Sequence, residues 1–340
     1  MDGRISMQML VDTSNNAFCE LNEYVLKIRN LISASAASTY IIQNDCVVNE
    51  WYSGYHDNSE GSRMVDALSR FNVASVRKTY LGFAVSLALY EGRIKNLDDY
   101  VTDYLDDLDE LVLKDTKIRH LITHTHGLQG SDNLNKRIFP PGTDWQYNNT
   151  GVNLLLKIVQ KVFGQTLAMV MEERLFLPFG FTETGWIKEK SEKLVWLDDT
   201  YKDNQGNDAN LFVSTRELAY WGYIHLTKGN VNGTQFVPSS IFEQVSSIAS
   251  PLNLNETLPR NGFFWWIQDK SRPLSELGHQ LPQNAYQSLG LYGNTVLVIP
   301  EYNVVAVRML NQTERNPPRY DYIKDIQTFG NIVCKCVSSQ

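Results

Sequence analysis

The chain has 340 residues, of which 43% are hydrophobic, 20% charged and 11% aromatic, a balance that excludes disordered, collagenous and coiled-coil proteins. Its 31 Lys and Arg against 38 Asp and Glu leave a formal charge of −7 with no basic run to offset it, which argues against nucleic acid or anionic lipid as a partner. Its 4 cysteines are too few, in a chain this long, to form a disulfide framework.

Residues Met1 to Phe18 carry no continuous apolar run and no small-residue cleavage site. This predicts no signal peptide and, with reduced thiols, a cytoplasmic protein, although a chain already trimmed of an export leader reads the same. Phe18 to Ile32 repeats Leu21, Val25, Ile28, Leu31 and Ile32 at helical spacing and predicts a helix. Thr39 to Gln43 and Cys46 to Tyr52 flank Asn44-Asp45 and predict a hairpin. Ser75 to Tyr90, Ile118 to Thr123, Gly151 to Phe163, Leu167 to Leu175 and Thr215 to Thr227 read as helices. The most apolar of these runs, Tyr80 to Tyr90, is too short to span a bilayer. Gly262 to Gln268, Asn294 to Pro300 and Asn303 to Met309 read as strands, and Tyr322 to Val337 as a closing helix. Strands near both ends around a helical middle predict one α+β sheet built from residues 1–70 and 255–340. A helical region, 71–254, is inserted, with a cleft between the two.

Ser75-Val-Arg-Lys78 is the chain's one Ser-x-x-Lys. It opens a helix that is apolar nearly all round, so the serine sits at a buried helix start whose backbone N–H can hold a developing oxyanion. Lys78 lies one turn on, on the same face, where desolvation lowers its pKa and makes it a base. The plainer alternative is a capping serine and a snorkelling lysine. Pro140-Pro-Gly-Thr-Asp-Trp-Gln-Tyr147-Asn-Asn149 runs into a second helix. Tyr147 can shuttle a proton, and Asn149 can donate to a substrate carbonyl and accept from Lys78, or simply cap the helix.

These segments, with Ile118-Arg-His-Leu-Ile-Thr-His-Thr-His-Gly-Leu and Val213-Ser-Thr-Arg-Glu-Leu-Ala-Tyr-Trp-Gly, resemble the serine β-lactamase and penicillin-binding protein superfamily. The resemblance is to its class C-like branch, which includes esterases and D-Ala-D-Ala carboxypeptidases, and it runs from about Thr39 to the final helix. It implies the β-lactamase/transpeptidase-like fold, an antiparallel sheet with an inserted all-helical region, and a site in the cleft. By resemblance Ser75 is the nucleophile of an acyl-enzyme, Lys78 its base or relay, and Tyr147 the group that protonates the leaving group. Which of Lys78 and Tyr147 takes the first proton stays open.

The family's third box, Lys-Thr-Gly or a His-x-Gly relative, has no obvious match. The expected counterpart is Gly290-Leu291-Tyr292-Gly293-Asn294, with Leu291 in place of the cation and an N–H of Gly293 or Asn294 completing the oxyanion hole. Such a cleft favours neutral esters and amides over β-lactams. The substrate is then a small acyl compound, with no cofactor, no metal and no membrane span. The same residues also serve an acyltransferase or D-amino-acid peptidase, and a penicillin-binding-like module without catalysis is the rival from another class. Oligomeric state is not legible.

Other signals are set aside. His120, His124 and His126 lack a natural acidic or Cys partner for zinc. Cys334-x-Cys336 reads as buried thiols. Trp265 and Trp266 on a strand point to opposite faces, so one can line an acyl pocket. Arg308, on the last strand, is the one residue that could restore a cation to the cleft, but its place in the strand reads more readily as a solvated face.

Overall fold

A computed structural model of the protein describes residues 7, 9–14, 16–106, 108, 110–130, 136–312 and 316–338. Residues 1–6, on which part of the leader reading rests, lie outside the described residues. In chain order the larger elements are strands β1 (Leu10–Val11), β2 (Ala34–Gln43) and β3 (Cys46–Gly54), preceded in the case of β2 by helix α1 (Cys19–Leu31). Strand β4 (Arg70–Asn72) leads to helix α2 (Lys78–Tyr90) and then α3 (Asn149–Phe163). Short strands β5 (Thr184–Trp186), β6 (Leu194–Val195) and β7 (Leu211–Ser214) precede helix α4 (Thr215–Leu226). Strands β8 (Trp266–Ile267), β9 (Tyr286–Gly290), β10 (Asn294–Ile299) and β11 (Val304–Gln312) precede the last helix, α5 (Tyr322–Ser338).

The main sheet has seven strands in the order β1-β3-β2-β11-β10-β9-β8, so chain start and chain end meet at the β2–β11 pair. Only the short β1–β3 pair is parallel. The β2–β3 hairpin turns through Asn44 and Asp45 at positive φ (50° and 63°), which short polar side chains tolerate. One sheet face packs Ile41, Leu297 and Ala306 against α1 and α5 through Leu21, Val25, Phe329 and Val333. The other face packs Tyr40, Val296 and Val305 against α4. There Gly222 is required, because a Cβ would lie 2.5 Å from the Val305 side chain.

The expected all-helical insertion needs correcting. It contains a second sheet of four strands, order β5-β7-β4-β6. Elements of two to four residues are too short to show a period. The predicted strand from Gly262 is also shorter than expected: only Trp266–Ile267 pairs, because Phe264 turns through positive φ (62°). No single helix among the described residues is long and apolar enough to cross a membrane. One bent pair, Asn149–Phe163 with Leu167–Phe179, passes by length and composition, but buries Val152, Leu155, Val159 and Met171 in the protein core.

Candidate active site

Strand β4 delivers the chain to Ser75 through a constrained turn. Ala74 adopts φ 49°, a conformation that costs a non-glycine residue about 1 kcal/mol, and the Asn72 Oδ1 accepts its N–H at 2.7 Å. The following 3₁₀ turn, Ala74–Arg77, carries Ser75 before α2 begins at Lys78. Helix α2 is buried on nearly every side by Tyr80, Leu81, Phe83, Ala84 and Val85, which fixes the position of its first residues.

Lys78 is buried at 3% exposure, and its Nζ lies 2.8 Å from the Ser75 Oγ and hydrogen-bonded to the Tyr147 hydroxyl. The Nζ also stands 4.6 Å from the centre of the Tyr147 ring. Burial, then the adjacent Arg77 guanidinium, holds Lys78 well below the usual lysine value. Burial pushes the Tyr147 phenol upward, while Ser75 and Arg77 pull the other way. The structure thus brings the three expected residues into one hydrogen-bonded chain. The Tyr147 ring packs 4.6 Å from that of His124 and 6.1 Å from that of Trp266.

The histidine-rich segment supports this arrangement. Burial, followed by the Lys78 charge, keeps His124 well below its usual pKa, so it packs as a neutral ring. His120 Nδ1 accepts from the Lys117 N–H at 3.1 Å and His126 Nδ1 from the Leu128 N–H at 2.9 Å, so both brace their own loop.

Asn149 is placed differently from expectation. The cap of α3 is Asn148, whose side chain accepts from the Thr150 N–H at 2.7 Å. Asn149 is the exposed first residue of the helix and makes no hydrogen bond to Lys78.

The third box is also redrawn. Of the five expected residues, Gly290 and Leu291 line the cavity beside Ser75, Leu291 with 62% exposure. Gly290 passes so close to the segment before the serine that a Cβ would lie 2.2 Å from the Val73 carbonyl oxygen. Gly293 and Asn294 are not in that wall. The Arg308 Nε donates to the Gly293 carbonyl at 2.8 Å, and Asn294 is fully buried, donating to the Asn72 carbonyl and accepting from the Leu310 N–H. Tyr292 turns at φ 72° and is half-buried away from the cavity. The edge that faces the cavity is therefore Leu289–Leu291. Gln287 pairs with Trp266 of β8, and alternation sends the N–H groups of Leu289 and, through the extended Gly290 (φ −124°, ψ 157°), Leu291 to the same open edge.

Arg308 does not lie on a solvated face. It is fully buried in a two-pronged pair with Asp325 at 2.9 and 3.0 Å, so it supplies no cation to the cleft. The cavity beside Ser75 has a volume of about 420 Å³ and is walled further by Trp145, Trp266, Glu276, Asn316 and Tyr322. Trp265 turns into the core, as alternation requires. Trp145 stands two residues before Tyr147, a spacing that could have revealed it. Glu276 sits in a loop with no pattern to mark it.

A family model described as Beta-lactamase matches residues 27–327. An uncharacterised protein of Alkalihalophilus pseudofirmus is 41% identical over 335 residues, 96% of this chain and 98% of that one. Esterase EstB of Burkholderia gladioli is 23% identical over 256 residues, covering 65% of this chain and 61% of the esterase. Among solved structures, a class C β-lactamase in complex with cefoxitin superposes with a TM-score of 0.75 at 16% identity, covering 96% of this chain and 99% of that one, a likeness of fold.

Proposed function

The chain belongs to the β-lactamase family, and on that premise we propose that it is a serine hydrolase working through an acyl-enzyme on esters or amides that lack a carboxylate. The observation that carries this reading is the contact of Ser75 with a buried Lys78 that is also bonded to Tyr147. Burial favours the neutral form of Lys78, and that form takes the Ser75 proton as Oγ attacks the carbonyl. Tyr147, held protonated, passes a proton from the Lys78 side to the leaving group. The oxyanion lies between the N–H of Ser75 and the edge-facing N–H of Leu291. Water then attacks the acyl-enzyme carbonyl with the same groups acting in reverse and releases the acid.

A fluorophosphonate is expected to modify one residue, Ser75, as read by peptide mapping, with labelling lost in Ser75→Ala. Modification of another serine at equal rate would remove Ser75 from the role.

The absence of a cation at Leu291 sets a second expectation. Short p-nitrophenyl esters are turned over in preference to a chromogenic cephalosporin, whose carboxylate meets no positive side chain among the described wall residues. Because Leu291 is well exposed, a lysine there gains only a partly screened contact, and Leu291→Lys is expected to shift the kcat/KM ratio toward the cephalosporin by roughly tenfold. An unmoved ratio would show that this edge does not meet the substrate's carboxylate.

A further inference from the structure

Glu276 differs from the buried carboxylates Asp325 and Glu217, and from Glu183, whose Oε2 is likewise without a partner among the described residues but whose Oε1 meets Arg216 at 2.6 Å. Asp325 is paired with Arg308, and Glu217 accepts the N–H groups of Thr182 and Glu183 and the Thr184 hydroxyl. Each is satisfied in the way a buried charge requires. The Oε2 of Glu276 is enclosed yet has no hydrogen-bond partner among the described residues. Its backbone is nonetheless firmly placed. Gln287 of β9 donates to its carbonyl at 2.8 Å, and Gln327 of α5 donates to the carbonyl of Ser275 at 2.7 Å. The loop therefore presents this carboxyl in the wall of the same cavity as Ser75, beside Trp145, Trp266 and Tyr322. No Lys or Arg is among the described residues of that wall.

We propose that Glu276, with the rings of Trp145, Trp266 and Tyr322, forms a subsite for an organic ammonium group, so that the favoured substrates are esters or amides carrying a positive charge. A carboxylate beside aromatic rings attracts an organic cation by charge, and a ring that turns its face to the cation adds the attraction of its quadrupole. This inference rests on the acyl-enzyme reading above and adds the charge of the substrate to it.

The electrostatics support the geometry. Burial raises the Glu276 carboxyl to about 7, against the opposing pull of its own backbone N–H and of the Trp266 indole N–H. The titratable groups facing it, Tyr147 and Tyr322, are themselves pushed upward by burial and so stay neutral near that pH. Below about 7 the carboxyl is therefore protonated and offers little to a cation; above it the carboxylate forms.

The test compares p-nitrophenyl 4-(trimethylammonio)butanoate with its uncharged isostere, p-nitrophenyl 5,5-dimethylhexanoate. The quaternary charge does not titrate, and the protonation of Lys78 affects both substrates, so it cancels in the ratio of kcat/KM. The cationic ester is expected to be favoured by about ten- to thirtyfold at high pH. That preference should shrink as the pH falls through about 7. Glu276→Gln should bring the ratio near one and remove its pH dependence. Equal turnover of the two esters by the unmodified protein, or a preference that survives Glu276→Gln, would overturn the subsite while leaving the hydrolase reading intact. If neither ester is cleaved, the hydrolase reading fails, and calorimetric titration with tetramethylammonium decides the subsite separately. Binding lost in Glu276→Gln supports it, and no binding overturns it.

Discussion

Lys78→Ala is expected to lower kcat/KM for a short p-nitrophenyl ester by about 10²–10⁴-fold, and Tyr147→Phe by a similar factor, because the proposed mechanism gives each a proton to move in the transition state. The two losses should not add. Both residues contact the same Nζ–Oγ chain, so removing one already breaks the relay that the other serves. The pH profile separates their parts. In the wild type kcat/KM should rise with pH as the Lys78–Tyr147 pair loses a proton. Since burial and Arg77 lower the lysine while burial raises the tyrosine, that rise reports the formation of neutral Lys78, well below the ordinary lysine range. Tyr147→Phe should keep this limb, whereas Lys78→Ala should abolish it. A limb that survives Lys78→Ala and vanishes in Tyr147→Phe would exchange the two roles and make the phenolate the first base.

That Ser75, Lys78 and Tyr147 could be read as neighbours has a physical basis. Ser75 and Lys78 are three residues apart at the start of one buried helix, so local geometry alone places them together. Tyr147 is distant in sequence, but it is fixed by a loop with its own glycine and proline pattern. The third box had no such local marker. Gly290 and Gly293 both satisfy the expectation of a glycine at a close approach. Only the packing of Gly290 against Val73, and of Gly293 against Arg308, shows which of them faces Ser75. Glu276 was invisible because its environment comes from β9, α5 and the Trp266 strand together. The secondary sheet was missed for a different reason: strands such as β4 and β6 draw their stability from pairing with distant segments rather than from their own two or three residues.

Arg308 was misread because its partner lies 17 residues further on, in the final helix, and that pair sets the largest stability effect expected here. Asp325 accepts both arms of the Arg308 guanidinium and the hydroxyls of Tyr24 and Tyr320, thereby tying α1, α5 and β11 to one carboxylate. Arg308 and Asp325 are almost wholly removed from water, at 0% and 2% side-chain exposure. Asp325→Ala leaves a buried guanidinium without its counter-charge and is expected to cost about 3–5 kcal/mol. Replacing both members with apolar residues of similar volume, Arg308→Met with Asp325→Leu, should cost less than Asp325→Ala alone, because no uncompensated charge is left buried and the remaining cost is the lost partners of the Gly293 carbonyl and the two tyrosine hydroxyls. The sign of the pH dependence follows from the same contacts. Burial pushes the Asp325 carboxyl up, but Arg308 and the two tyrosine hydroxyls outweigh it and hold the pKa below its usual value. Its contribution is therefore complete above about pH 4 and is lost as the pH falls further through the folded-state pKa. Urea denaturation at neutral pH and in acid measures both effects. The single variant should show a lower midpoint at neutral pH and a smaller further loss on acidification than the wild type. A change within 1 kcal/mol for Asp325→Ala, judged on the scale where ordinary surface substitutions fall within about 0.5 kcal/mol, would mean that water or a neighbouring group satisfies Arg308 when the carboxylate is gone. Because Arg308 also holds the Gly293 carbonyl, the same variant should raise KM for ester substrates at temperatures where it remains folded, by loosening the turn that follows Leu291.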